Sequence, residues 1–244
     1  MECLGIESSP CVVSVAGAGG KTTLMYALAG EILSRRRTVV TTTTTKILAP
    51  RPQESPCTLL VKDDPELRSL EEKLTQFRHV TVAHSLIPDI GKLEGITDEV
   101  VTSCSRAAHY VIVEADGAAG RPIKAPESWE PVVPECTNLV VYMVGLDCVG
   151  RPATDQWVFR LDRFLSLTGI KLGDAIRGFT VGRLLSHPDG ALKGVPVGVP
   201  VIPFLNKADL LTDAKAVDEI AEALSTLAKD RFLTLVIGSM RQFL

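Results

Sequence analysis

A chain of 244 residues with 45% apolar and 23% charged side chains can bury a large core and has the make-up of an ordinary globular protein. Its net charge of −3 offers no electrostatic attraction to nucleic acid, and no such partner is expected. No apolar run reaches the length of a bilayer span and no basic segment followed by an apolar one opens the chain, so no membrane association is expected and the cytoplasm is the expected compartment.

Residues 1–10 read as a short leader without periodicity. A β-branched run at 11–15 then enters Gly17-Ala18-Gly19-Gly20-Lys21-Thr22-Thr23, and from Thr22 to about residue 36 apolar positions such as Leu24, Leu28 and Ile32 recur at helical spacing. Strand, glycine loop and helix in that order make a phosphate-binding loop. Glycines let successive N–H groups turn toward an anion, and the helix start adds its unsatisfied N–H groups and positive dipole end. Gly17, Ala18, Gly19, Gly20 and Thr23 are the expected backbone contacts, Lys21 the partner of the outer phosphates, and Thr22 the hydroxyl ligand of magnesium. The loop is short: Val15 stands where the longer G-x-x-x-x-G-K-S/T pattern has its first glycine.

A second strand at 38–42 runs into Thr41-Thr42-Thr43-Thr44-Thr45. Threonine favours strands, which accounts for the first positions, whereas the later ones, Thr44 among them, fall where ligands of open α/β sheets sit. Their hydroxyls would reach magnesium or the terminal phosphate. Strands at 57–61 and 80–83 and helices at 65–77 and 96–108 follow. The apolar run Tyr110-Val111-Ile112-Val113 ends in Glu114-Ala115-Asp116-Gly117. Glu114 and Asp116 share side-chain parity if the strand stays extended, and carboxylates at that place hold magnesium and orient an attacking water. The alternative is a solvated strand end with an Asp-Gly turn.

Residues 118–134 are a long proline-rich loop in which Arg121 or Lys124 would neutralise phosphate, recognise an acidic partner, or simply be surface charge. A strand at 138–144 precedes a mainly helical insertion at about 150–194. The strand at 201–205 ends in Asn206-Lys207-Ala208-Asp209, the N-K-x-D pattern that reads guanine. An aspartate there accepts both hydrogens that guanine presents, and adenine would leave it unpaired. Asn206 would tie this segment to the phosphate loop, and the Lys207 stem would cover the base; a helix-capping Asp209 is the structural alternative. A helix at 213–229 and a last strand at 232–237 complete the chain. The six cysteines show no C-x-x-C pair and read as buried free thiols.

Gly17 to Thr23, the 41–45 run, Glu114-Ala115-Asp116-Gly117 through Lys124-Ala125-Pro126, and Asn206-Lys207-Ala208-Asp209 together resemble the YqeC family, accessory proteins of selenium-dependent molybdenum hydroxylases. The resemblance implies a P-loop α/β fold, a mostly parallel sheet with helices on both faces, in a single domain. It also implies a role in maturing a cofactor that contains selenium and molybdenum, with a molybdenum hydroxylase or a maturation protein as partner. The short loop is also similar to that of the ATP-using Mur ligases. The residues thus point to a magnesium-dependent nucleoside triphosphatase with GTP favoured over ATP, in which Lys21, Glu114 and Asp116 are catalytic and Thr22 and Glu114 hold the metal. An ATP-dependent small-molecule kinase or ligase and a non-catalytic nucleotide switch are the alternatives. The oligomeric state is left open.

Overall fold

The computed structural model describes residues 1–6, 10–62, 67–228 and 231–243. They fall into two compact units. The first comprises Met1–Val15, Thr22–Gly117 and Val132–Leu139, the second Ala16–Lys21, Ala118–Pro131 and Val140–Leu244.

In the first unit the strands are β1 (Cys11–Gly17, whose last two residues belong to the second unit), β2 (Val39–Thr43), β3 (Lys46–Leu48), β4 (Thr58–Leu60), β5 (His79–Ala83), β6 (Leu86–Ile87), β7 (Lys92–Glu94) and β8 (Tyr110–Glu114). Five of them pair in parallel in the order β1-β8-β2-β5-β4. Every residue of β1, β2, β5 and β8 is buried, as expected for parallel strands covered on both faces. Helices α1 (Lys21–Ser34), α2 (Leu70–Phe77) and α3 (Asp98–Ala107) supply the connections. Leu70 and Leu74 of α2 and Val101 and Cys104 of α3 share a core with Val80, Val82 and Val111 of the strands. The expected helix at 65–77 is seen from Leu70; residues 65 and 66 lie outside the described residues, as do residues 7–9 of the expected leader. The antiparallel ribbon β3-β7-β6 was not anticipated, because strands of two or three residues carry no readable alternation.

In the second unit the strands are β9 (Ile123–Lys124), β10 (Leu139–Gly145), β11 (Val158–Phe159), β12 (Val201–Asn206) and β13 (Val236–Ile237). β12 lies between β10 and β13, parallel to both, and β9 pairs with β11. The helices are α4 (Leu161–Thr168), α5 (Gly178–Ser186) and α6 (Lys215–Leu227). Lys229, the expected end of the last helix, lies outside the described residues. The last strand is only Val236–Ile237, shorter than expected, although Leu233 still donates its N–H to Val201. The 118–134 segment is less irregular than its prolines suggest. It contains β9, and Lys124 is fully buried with its ammonium 2.9 Å from Glu130. That lysine is therefore an internal charge partner rather than an exposed phosphate ligand. Arg121 stays at the surface and donates to the carbonyls of Asp155 and Ala119.

Among the described residues no helix is long and apolar enough to cross a membrane. Cys11, Cys104 and Cys148 are buried free thiols, and burial pushes Cys104 up to about 12. Cys57 and Cys136 are free and partly exposed.

His79 opens β5 inside the first unit, its Nε2 3.0 Å from the Thr41 hydroxyl, and burial pushes its pKa down to about 4. Above pH 6.5 it is neutral whether the chain is folded or not. Below that, the unfolded chain takes up a proton that the folded one refuses until about pH 4. Stability should therefore fall by about 3 kcal/mol from this group as pH drops across that interval. Urea unfolding at several pH values should show the slope, and His79→Gln should flatten it; a slope unchanged in that variant would exclude His79 as its source.

Candidate functional site

The glycine loop belongs to the second unit. Gly17, Gly19 and Gly20 all have positive φ, at 89°, 85° and 127°. The approach is tightest at Gly19, where a methyl group would run into the Gly145 backbone and stand 2.9 Å from the Pro122 carbonyl. At Gly20 it would stand 2.5 Å from the Asn206 amide nitrogen. Only glycine combines these backbone angles with these neighbours. The Ala18 N–H is committed to the Met143 carbonyl at 2.8 Å. The loop's own carbonyls are paired from within the unit: Lys21 donates to Gly17 at 2.7 Å and the Asn206 amide to Gly19 at 2.8 Å.

In the first unit, α1 continues with Thr22 and Thr23, both partly exposed. The Thr22 hydroxyl donates to the Glu114 carboxylate at 2.7 Å. Two features hold Glu114 there. Register puts it beside Val15 of β1 and Thr43 of β2, so it lies at the carboxyl ends of three parallel strands. Its carbonyl also accepts the Thr43 hydroxyl at 2.7 Å and the Thr44 N–H at 3.2 Å. β8 stops at Glu114, so strand parity does not carry to Asp116, which is fully buried just past the strand.

The threonine run divides by position. Thr41 bonds Thr81 and His79, Thr42 donates to the Val82 carbonyl, and Thr43 braces Glu114. Thr44, the member expected to meet a ligand, donates its hydroxyl to the Val132 carbonyl at 2.7 Å.

At the end of β12, in the second unit, Asn206 is buried and pairs in register with Gly145. Its side chain has two partners: the amide reaches Gly19, and the oxygen accepts the Met240 N–H at 3.0 Å. Lys207 adopts a left-handed backbone (φ 62°), and its ammonium sits 2.7 Å from Asp147. The Asp209 carboxylate accepts from Arg241 at 3.1 Å. Hydrogen bonding from Ser239 first, and the Arg241 charge after it, hold Asp209 below the usual carboxylate range.

The family model described as YqeC protein matches residues 13–162. A protein of Escherichia coli (strain K12) with the name "Uncharacterized protein YqeC" is 30% identical over 226 residues, spanning 91% of this chain and 85% of that one. The chain belongs to the YqeC family. The YqeC match covers the glycine loop, the threonine run and Glu114 and ends ahead of Asn206. Among solved structures, the chain is similar to HypB from Helicobacter pylori in complex with nickel, at 10% identity and TM-score 0.40 over 94% of this chain and 79% of that one. It is also similar to the signal recognition particle 54 kDa protein from Aeropyrum pernix K1 in complex with GDP, at 16% identity and TM-score 0.39 over 98% and 44%. Both likenesses are distant.

Two residues near these motifs escaped the sequence reading: Asp147, which holds Lys207, and Arg241, which pairs with Asp209. Gly238-Ser239 is readable as a backbone contact for a purine edge; in the structure the Ser239 side chain holds Asp209. The only signal for Asp147 was an acidic residue just past a buried strand, and for Arg241 a lone charge near the chain end. Among the described residues no group of three or more His, Cys, Asp or Glu could hold a metal ion. The oxygen pair Thr22–Glu114 is instead the donor set that suits magnesium, which takes few protein ligands and completes its shell with water and phosphate.

Asn206→Ala would leave the Gly19 carbonyl and the Met240 N–H without their buried partner, so it should cost about 1–3 kcal/mol. Urea denaturation measures this; a loss below about 0.5 kcal/mol, within the spread of neutral surface changes, would show that the bridge is dispensable.

Proposed function

We propose that this chain is a magnesium-dependent nucleoside triphosphatase that favours GTP and serves the maturation of a selenium-dependent molybdenum hydroxylase cofactor in the cytoplasm. The observation that carries the catalytic half is the 2.7 Å hydrogen bond between Thr22, the residue after the loop lysine, and Glu114 at the end of β8. The hydroxyl gives its hydrogen to Glu114, so its own lone pairs would be the part of it that a magnesium ion uses.

The chemistry asked of the chain is mostly positioning and charge. The N–H groups at the start of α1 would receive the phosphates, and the Lys21 ammonium, which donates to the Gly17 carbonyl, would stabilise the outer phosphate oxygens as negative charge builds on them. Magnesium, when bound, neutralises phosphate charge and fixes the geometry of the leaving group. Thr22 would supply an oxygen for it, and Glu114 would help to hold it. Asp116, buried beside that strand end, is the second carboxylate available to place the attacking water.

Guanine preference is supported by the Asn206–Asp209 segment. Asn206 fixes the segment to the phosphate loop through Gly19, and Asp209 is kept ionised to accept the two guanine hydrogens. The accessory role is supported by membership of the YqeC family.

Lys21→Ala should lower nucleotide turnover by about 10²–10³-fold, the size typical of losing one positioned electrostatic donor. Steady-state phosphate release with GTP and with ATP tests this, and turnover equal to the unaltered chain would defeat the assignment. Thr22→Ala should weaken the dependence on magnesium concentration while leaving metal-free nucleotide binding in place. Titrating magnesium against fluorescent GDP binding reads that, and an identical magnesium curve would remove Thr22 as a ligand.

A further inference from the structure

The segment after β13 is stitched to the base-reading motif residue by residue. The Gly238 N–H donates to Leu205 and its carbonyl accepts from Ala208, both at 3.0 Å. Ser239 hydrogen-bonds Asp209 through its side chain. The Met240 N–H reaches the Asn206 oxygen at 3.0 Å. Arg241 closes the series twice: its backbone N–H donates to the Ser239 hydroxyl at 3.3 Å, and its Nη1 donates to Asp209 Oδ2 at 3.1 Å.

We propose that Arg241 is a positioning residue for base selection, clamping Asp209 in the orientation that accepts guanine. The proposal rests on the guanine reading given above. An ionised carboxylate offers about four lone-pair directions. Ser239 and Arg241 occupy one each, which leaves about two, the number of hydrogens that guanine N1 and its exocyclic amine present. The clamp and the base are thus compatible on one carboxylate. Without the clamp, Asp209, whose side chain is 31% exposed, loses one of its two restraints and must be ordered by the ligand itself. Adenine presents no such pair of donors and gains nothing from the clamp.

The Arg241 side chain is 71% exposed, so the pair is solvated and its effect is modest. Arg241→Ala should weaken GDP binding by about two- to five-fold, the equivalent of a solvated ion pair, and leave ADP binding and the urea midpoint unchanged. Arg241→Lys, which keeps the charge but not the fork, should fall between the two. The difference between the unaltered chain and Arg241→Ala should shrink in 0.5 M salt, because screening weakens an exposed pair but not a packing contact.

The experiment is competition of GDP, ADP and xanthosine diphosphate against a fluorescent guanine nucleotide on the full chain, with Asp209→Asn in parallel. The asparagine offers an amide hydrogen to the xanthine carbonyl that replaces the guanine amine, so it should trade guanine for xanthine affinity if Asp209 reads the base. A chain with no guanine preference, or an Asp209→Asn variant with none of this exchange, overturns the base reading and the clamp together. A guanine-selective chain in which Arg241→Ala binds GDP equally or more tightly, or loses ADP in the same proportion, overturns the clamp alone.

Discussion

Three glycines with positive φ turn the loop after β1 so sharply that its carbonyls leave the helix and strand ladders, and buried carbonyls need donors. The second unit meets this demand with two side chains, Lys21 on Gly17 and Asn206 on Gly19. Much else follows from the second of them. Because Asn206 spends its amide on the loop and its oxygen on Met240, the end of β12, the glycine loop and the segment after β13 share one hydrogen-bond network. Gly145 packs against Gly19 and takes the Pro122 carbonyl at 2.8 Å, which brings the proline-rich segment into the same support. The loop's shape is therefore set by its neighbours more than by its own length. Val15, where a longer loop would have glycine, is fully buried in β1.

Charge follows the same economy. Three carboxylates near the motifs meet specific donors: Glu114 meets Thr22, Asp147 meets Lys207, and Asp209 meets Ser239 and Arg241. The donors to Asp209 favour its ionised form, and the Lys207–Asp147 and Arg241–Asp209 pairs, being partly exposed, contribute little to stability. The Lys124–Glu130 pair is of another kind. It is buried, Glu130 also meets Arg160 at 3.2 Å, and Lys193 donates to the Glu130 carbonyl at 2.9 Å. Removing one partner of such a pair strands the other, so it specifies how residues 124–130 fold more than it strengthens the unit.

The threonine run shows how far a local pattern can be read. Threonine predicts a strand, and β2 is one; it also predicts hydroxyls at the strand's carboxyl end, and they are there. What they bond is decided by chains far away in sequence. Thr43 finds the Glu114 carbonyl because β8 lies beside β2 in register, and Thr44 finds Val132 because a segment 88 residues later passes it. The buried Lys124 is the same lesson in reverse. Its neighbours in sequence are prolines and glycines, which suggest a surface loop, whereas Glu130 and the pairing of β9 with β11 take it inside.

The sequence by itself determined the strand–loop–helix unit, the order of the main strands and helices, the carboxylate after β8 and the N-K-x-D segment after β12. All of these rest on spacing within a few residues, where backbone geometry and side-chain type decide the outcome. Tertiary structure alone decided that Asn206 would cap the Gly19 carbonyl, that Thr22 would meet Glu114, and that Asp147 and Arg241 would attend the N-K-x-D segment. Those partners are separated by 187, 92, 60 and 32 residues, and no local pattern encodes them. They are set by parallel strand order, which brings the carboxyl ends of distant strands together and so selects which side chains meet.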